Sequence, residues 1–85
     1  MYSVSLSRQA ARSLRRIEAK QRETIRGRIE LLACDPLDQR LDVKRLVGRA
    51  GFRLRVGDWR VLYEVDDAVR IIAVEDVLQR GSANR

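Results

Sequence analysis

From Gly51 to Val65 the chain reads Gly-Phe-Arg-Leu-Arg-Val-Gly-Asp-Trp-Arg-Val-Leu-Tyr-Glu-Val. Apolar and basic residues alternate as far as Val56, the pattern breaks at Gly57-Asp58, and alternation resumes at Trp59. Alternation is the mark of a half-buried strand, and a Gly-Asp pair between two such runs marks a tight hairpin. Successive side chains leave a strand on opposite sides. If one core is to be built, Phe52, Leu54 and Val56 must share a face with Trp59, Val61, Tyr63 and Val65. Arg53, Arg55 and Arg60 then gather on the other face, beside Leu62 and Glu64. Three guanidinium groups brought together by one hairpin repel each other, a cost that a polyanionic ligand would offset. The hairpin therefore predicts a phosphate-binding sheet face.

The rest of the chain supplies what covers the apolar face. Tyr2-Ser3-Val4-Ser5-Leu6 alternates and predicts a first strand with Tyr2, Val4 and Leu6 inward. Ser7 can cap a helix from Arg8 to Lys20, in which Ala10, Leu14 and Ile17 recur at helical spacing. Lys20-Gln21-Arg22 interrupts the stripe and predicts a turn. A second helix from Glu23 to Ala33 follows, with Ile25, Ile29 and Leu32 buried, and Asp35-Pro36 ends it. The arginines of both helices occupy ordinary surface positions of amphipathic helices. Leu37 to Ala50 reads as a connection anchored by Leu46, with Lys44, Arg45 and Arg49 near the mouth of the hairpin. After a turn at Asp66-Asp67-Ala68, Val69 to Val74 is apolar on both faces, as a covered strand is. Arg80 to Arg85 is a polar tail. The expectation is an α+β domain over residues 1–85, β-α-α-β-β-β, with a small, mostly antiparallel sheet and a helical hairpin packed on one face. Its expected core is Val4, Leu6, Leu14, Ile17, Ile25, Ile29, Leu32, Phe52, Leu54, Val61, Tyr63, Ile71 and Ala73.

Charge and chemistry narrow the function. Eighteen basic residues stand against twelve acidic ones, a net charge of +6 that points to an acidic partner. Sixteen of the eighteen are arginine, the side chain that binds phosphate in bidentate fashion and stacks on bases. The chain contains no histidine and one cysteine, Cys34, so neither a zinc site nor a histidine-activated nucleophile is expected. No Gly-rich phosphate loop is present, and no cofactor or metal is expected. The lone cysteine and the lack of a long apolar run predict a cytoplasmic protein with no membrane partner. RNA cleavage is compatible with these side chains, because the substrate supplies its own nucleophile, the 2′-OH. The protein need only fix in-line geometry and neutralise charge on the phosphorane.

Several stretches resemble the RelE/ParE toxin superfamily. They are Tyr2-Ser3-Val4-Ser5-Leu6-Ser7 with Ala10-Ala11 and Leu14, then Asp35-Pro36, Lys44-Arg45-Leu46-Val47-Gly48, and above all Phe52 to Val65. The similarity covers essentially the whole chain in the same order. It implies the toxin of a bacterial type II toxin–antitoxin pair, held by a cognate acidic antitoxin in a hetero-oligomer and meeting DNA only through that complex. RelE-like members cut mRNA in the ribosomal A site without a metal, using basic residues of the concave sheet face. ParE-like members share the fold and poison DNA gyrase. Carried over by position, the resemblance implies catalytic roles for Arg53, Arg55, Arg60 and Arg80, and RNA contacts from Lys44, Arg45 and Arg49. Family members often carry histidine before the last of these arginines and tyrosine near the C-terminus; Gln79 and Asn84 stand there in this chain. Three readings follow: a ribosome-dependent mRNA endonuclease, a gyrase-directed inhibitor without chemistry of its own, and simple nucleic-acid binding.

Overall fold

A computed structural model describes residues 1–79. Its elements are β1 (Ser3–Leu6), α1 (Arg8–Arg16), α2 (Ala19–Cys34), β2 (Asp42–Arg45), β3 (Phe52–Val56), β4 (Trp59–Asp66) and β5 (Ile71–Gln79). The strands form one sheet in the order β1-β5-β4-β3-β2, in which only β1 and β5 run parallel. The α+β architecture is the expected one, with one strand added. β2 lies within the segment read as a connection, where Leu41 is buried and Val43 half-buried. A strand of four residues is too short for its alternation to stand out from a loop.

The hairpin forms as its alternation predicts, with Val56 opposite Trp59 and Leu54 opposite Val61. Gly57 carries the turn at φ 57°, while Asp58 keeps a negative φ. Glycine at the first central position is what a two-residue II′ turn requires. Buried Leu54, Val56, Val61 and Tyr63 join Ile72, Val74 and Val77 of β5 against Ala10, Leu14, Ile25, Ile29, Leu32 and Ala33 of the helices. Both helices thus cover one face of the sheet and leave the other, here the open face, to the arginines.

Two helical boundaries differ from expectation. α1 stops at Arg16, because Ile17 turns extended at φ −83°, ψ 141°, and α2 starts at Ala19. The break sits where Ile17 can drop into the core at 6% exposure. Arg22, expected in a turn, is instead one turn into α2. Its guanidinium donates to the carbonyls of Leu14 at 3.3 Å and Ile17 at 3.4 Å at the end of α1, where the Leu14 carbonyl also accepts from the Ile17 amide at 3.2 Å. Ser7 caps α1 as expected, its Oγ accepting from the Ala10 amide at 2.9 Å.

The central strand corrects the expected core. Ile72 and Val74 are buried, whereas Ile71 and Ala73 are only half-buried on the open face. A strand apolar on both sides carries no phase of its own, so pairing sets it: Ile72 lies opposite Val65 and Val74 opposite Tyr63. Alternation from Ile72 and Val74 carries Asp76 to the helix side, and a bulge that shifts the register between Leu62 and Tyr63 lets the next residue, Val77, be buried there as well. There Asp76, 8% exposed, accepts from Gln9 Nε2 at 2.8 Å, Ser13 Oγ at 3.0 Å and the Val77 amide at 2.8 Å. Val4 and Leu6 pair with Ile72 and Val74 and so face the core side. As an edge strand, however, β1 leaves them 39% and 45% exposed.

The loop between β2 and β3 depends on Gly51. It holds φ 109°, and a Cβ there would lie 2.9 Å from the carbonyl oxygen of Tyr63 and 3.2 Å from Glu64 Cγ. Gly51→Ala is expected to cost about 1–3 kcal/mol through the strained backbone and this clash. Gly48, at φ 80° with open space around it, is the control expected to cost less. Urea unfolding midpoints of the two variants check this; equal midpoints would contradict it.

Candidate nucleic-acid interface

The open face is built from β2, β3 and β4 in register. Arg55 lies directly opposite Arg60, Arg53 opposite Leu62, Lys44 opposite Arg53, and Asp42 opposite Arg55. Because Leu54 and Val56 are drawn into the core, strand alternation forces Arg53 and Arg55 to the far side. Arg53, Arg55 and Arg60 are all half-buried. A guanidinium partly withdrawn from water interacts more strongly with a phosphate than a fully solvated one, because less solvent screens it. Arg53 is oriented by Asp42, its Nη2 donating to Oδ1 at 3.2 Å. Its Nε is buried with no hydrogen-bond partner among the described residues.

Apart from Asp42, which pairs with Arg53, acid and base separate between the two ends of β3 and β4. The arginines and Lys44 occupy the end nearest the Gly57 turn, whereas Glu64 and Asp66 lie towards the other end of β4, opposite Ala73 and Ile71. An extended polyanion is thereby steered to one end. The expected basic loop divides. Lys44 joins the cluster. Arg45 turns to the helix side, where its guanidinium sits 5.5 Å from the centroid of the Phe52 ring. Arg49 reaches β5 and pairs with Glu75 at 2.8 Å. Arg80 and Asn84 lie outside the described residues.

Asp42 and Glu75 are the acidic partners that the sequence reading passed over. Spacing gives no sign of Glu75, because its contact with Arg49 spans 26 residues. The alternation Leu41-x-Val43 was a faint signal for the strand that carries Asp42.

Among the described residues, Asp42, Lys44 and Leu62 stand beside the arginines in the sheet register, and no tyrosine does. Tyr63 faces the core, where burial pushes its hydroxyl up to about 12. A cavity of about 500 Å³ opens on the helix side, among Tyr2, Pro36, Val43, Phe52 and Val65, away from the arginine cluster. Among the described residues, no three His, Cys, Asp or Glu side chains are grouped so as to hold a metal ion. No helix among them is long and apolar enough to cross a membrane. What the open face can do is bind and charge-stabilise a phosphodiester.

Comparison with known proteins agrees with this geometry. No curated protein matches the chain. Among solved structures, a chain of the archaeal RelE–RelB complex from Pyrococcus horikoshii is 25% identical, with a TM-score of 0.82 over 94% of this chain and 96% of that one. A chain of the Mycobacterium tuberculosis RelBE2 toxin–antitoxin complex is 27% identical, with a TM-score of 0.79 over 93% and 98%. The isolated E. coli RelE toxin shares the fold at 17% identity, with a TM-score of 0.78 over 94% and 85%. The family described as the ParE toxin of the type II toxin–antitoxin system parDE matches residues 4–83. The match runs through the β3–β4 hairpin and every element of the sheet, and the chain belongs to this family: it is a type II toxin of the RelE/ParE superfamily.

Proposed function

We propose that this toxin is an mRNA endonuclease that acts on the ribosome in the cytoplasm and halts translation. The observation that carries the reading is the placement of Arg55 opposite Arg60, with Arg53 and Lys44 alongside. Such a cluster is costly in an empty sheet and useful against a phosphorane. In the proposed reaction the RNA 2′-OH attacks the adjacent phosphorus as its P–O5′ bond breaks. The products are a 2′,3′-cyclic phosphate and a 5′-hydroxyl. Arg53, Arg55 and Arg60 hold the non-bridging oxygens and take up the developing charge, with Arg80 as a fourth contact. Lys44 extends the track along the RNA, Arg49 joins it on leaving Glu75, and Arg45 flanks it from the rim. Arginine stays protonated and is a poor base. The proton leaving the 2′-OH and the proton reaching O5′ are therefore exchanged with water or with the ribosome.

A cognate antitoxin is the second partner. The solved relatives include RelE–RelB complexes, and a net charge of +6 calls for an acidic chain over the open face.

Two observations favour a second reading: the matching family is named for ParE, and Gln79 replaces the histidine that the resemblance leads one to expect before Arg80. In that reading the same face docks on gyrase.

Induction of the chain in growing cells, with labelled methionine and thymidine pulsed in parallel, separates the two. Methionine incorporation is expected to stop first, with mRNA cut within codons on primer extension. Thymidine incorporation stopping first, with mRNA intact, replaces the endonuclease by the gyrase inhibitor.

A further inference from the structure

α1 carries a second cationic surface, on the opposite side of the molecule from the arginine cluster. Arg8, Arg12 and Arg16 succeed one another at four-residue steps, all exposed, and line a groove of about 380 Å³ together with Gln9 and Ser13. No acidic residue occurs within α1, and none among the described residues pairs with these three arginines. Asp76, the carboxylate that packs against α1, already accepts from Gln9, Ser13 and the Val77 amide.

α2 shows what an ordinary solvated helix of this protein looks like. There Glu23 and Glu30 stand among four basic residues, and Arg26 pairs with Glu23 at 3.4 Å. α1 has no carboxylate of its own to offset the arginines that stand one turn apart, and Arg8 places a cation in the first turn, against the helix dipole. Both features weaken the free helix, and both become favourable with an anion in the groove.

We infer that α1 docks on the phosphodiester backbone of double-helical RNA. A protein partner would need an apolar centre to its footprint, and the groove has none. Nucleic-acid interfaces are polar and strongly cationic, as this one is. The step from Arg8 to Arg12, and again to Arg16, is about 6 Å along the axis. Successive phosphates lie closer together along an A-form strand than along a B-form one, and the step matches the shorter repeat. The choice of RNA rests on the endonuclease reading above: the open face would take the single strand to be cut while α1 holds a neighbouring duplex, so that the toxin is clamped between two RNA segments.

The test is binding of the purified chain to a short RNA duplex, to a DNA duplex of the same sequence and to polyglutamate, as a function of salt. Replacing all three residues (Arg8→Gln, Arg12→Gln, Arg16→Gln) is expected to weaken RNA-duplex binding by at least about tenfold. The slope of log affinity against log salt should fall by about 2 to 3, one contact per arginine lost. Glutamine keeps helix propensity, so the melting temperature of the triple variant should hold or rise. Unchanged duplex affinity and slope in a folded triple variant would overturn the inference. So would DNA bound as tightly as RNA, or polyglutamate displacing the duplex from α1. The assay does not involve cleavage. Loss of duplex binding in the triple variant therefore supports α1 docking even if the open face proves to act on gyrase.

Discussion

Leu54→Ala is expected to destabilise the protein by about 2–5 kcal/mol, a large share of the total stability of a domain this small. Leu54 is fully buried at 0% exposure and faces Val61 across the hairpin. It sits in a cluster that takes members from both helices and from β3, β4 and β5. Nothing on the far side can collapse into the space, because the residues flanking it there are the half-buried Arg53 and Arg55. Val4→Ala makes the comparison. On the β1 edge, at 39% exposure, it should cost under about 1 kcal/mol. Urea unfolding of both variants measures the difference. Equal shifts would mean that the hairpin does not organise the core.

The second large effect concerns activity. Arg60→Ala is expected to reduce ribosome-programmed mRNA cleavage by about 10²–10³-fold, the range for losing one charge-stabilising donor from a preorganised site. Arg60→Lys keeps the charge and loses the planar fork, so it should fall between alanine and wild type. Arg55→Leu gives a sharper test. Arg55 faces Arg60 directly, and removing one of two opposed like charges should leave stability unchanged or raise it. A residue kept for its ligand then loses activity without losing stability, whereas a residue kept for the fold loses both. Primer extension on cleaved mRNA, beside melting curves for the same proteins, distinguishes these outcomes. Wild-type cleavage by all three variants would remove the arginines from the mechanism.

The likeness to RelE structures and the match to the ParE family meet on one scaffold. The chemistry is separable from that scaffold. The helix-side core needs only apolar residues in alternation, while the open face carries the variable charges. A single fold can thus carry an RNA-cutting face or a protein-docking face with the same core behind it.

How far the sequence reached depended on how local each interaction was. The β3–β4 hairpin was legible because a two-residue turn at Gly57 locks the register, so period-two alternation places every side chain. From that alone Arg53, Arg55 and Arg60 had to meet. The helices were legible from the stripes Ala10-Leu14-Ile17 and Ile25-Ile29-Leu32, and the family from the motif residues around them. The rest was decided by contacts between segments distant in the chain. Parallel pairing with β1 and antiparallel pairing with β4 chose Ile72 and Val74 over Ile71 and Ala73, because a strand apolar on both sides has no preferred face until its neighbours impose one. The same phase set Asp76 against α1, and the bulge added Val77 to the core. Pairing with β3 made a strand of Asp42–Arg45, which set Lys44 among the arginines and turned Arg45 onto Phe52. Alternation and helical period follow from local backbone geometry and so are written in the sequence. Strand phase and charge pairing are free energies of contact between distant segments, and only the folded sheet brings those segments together.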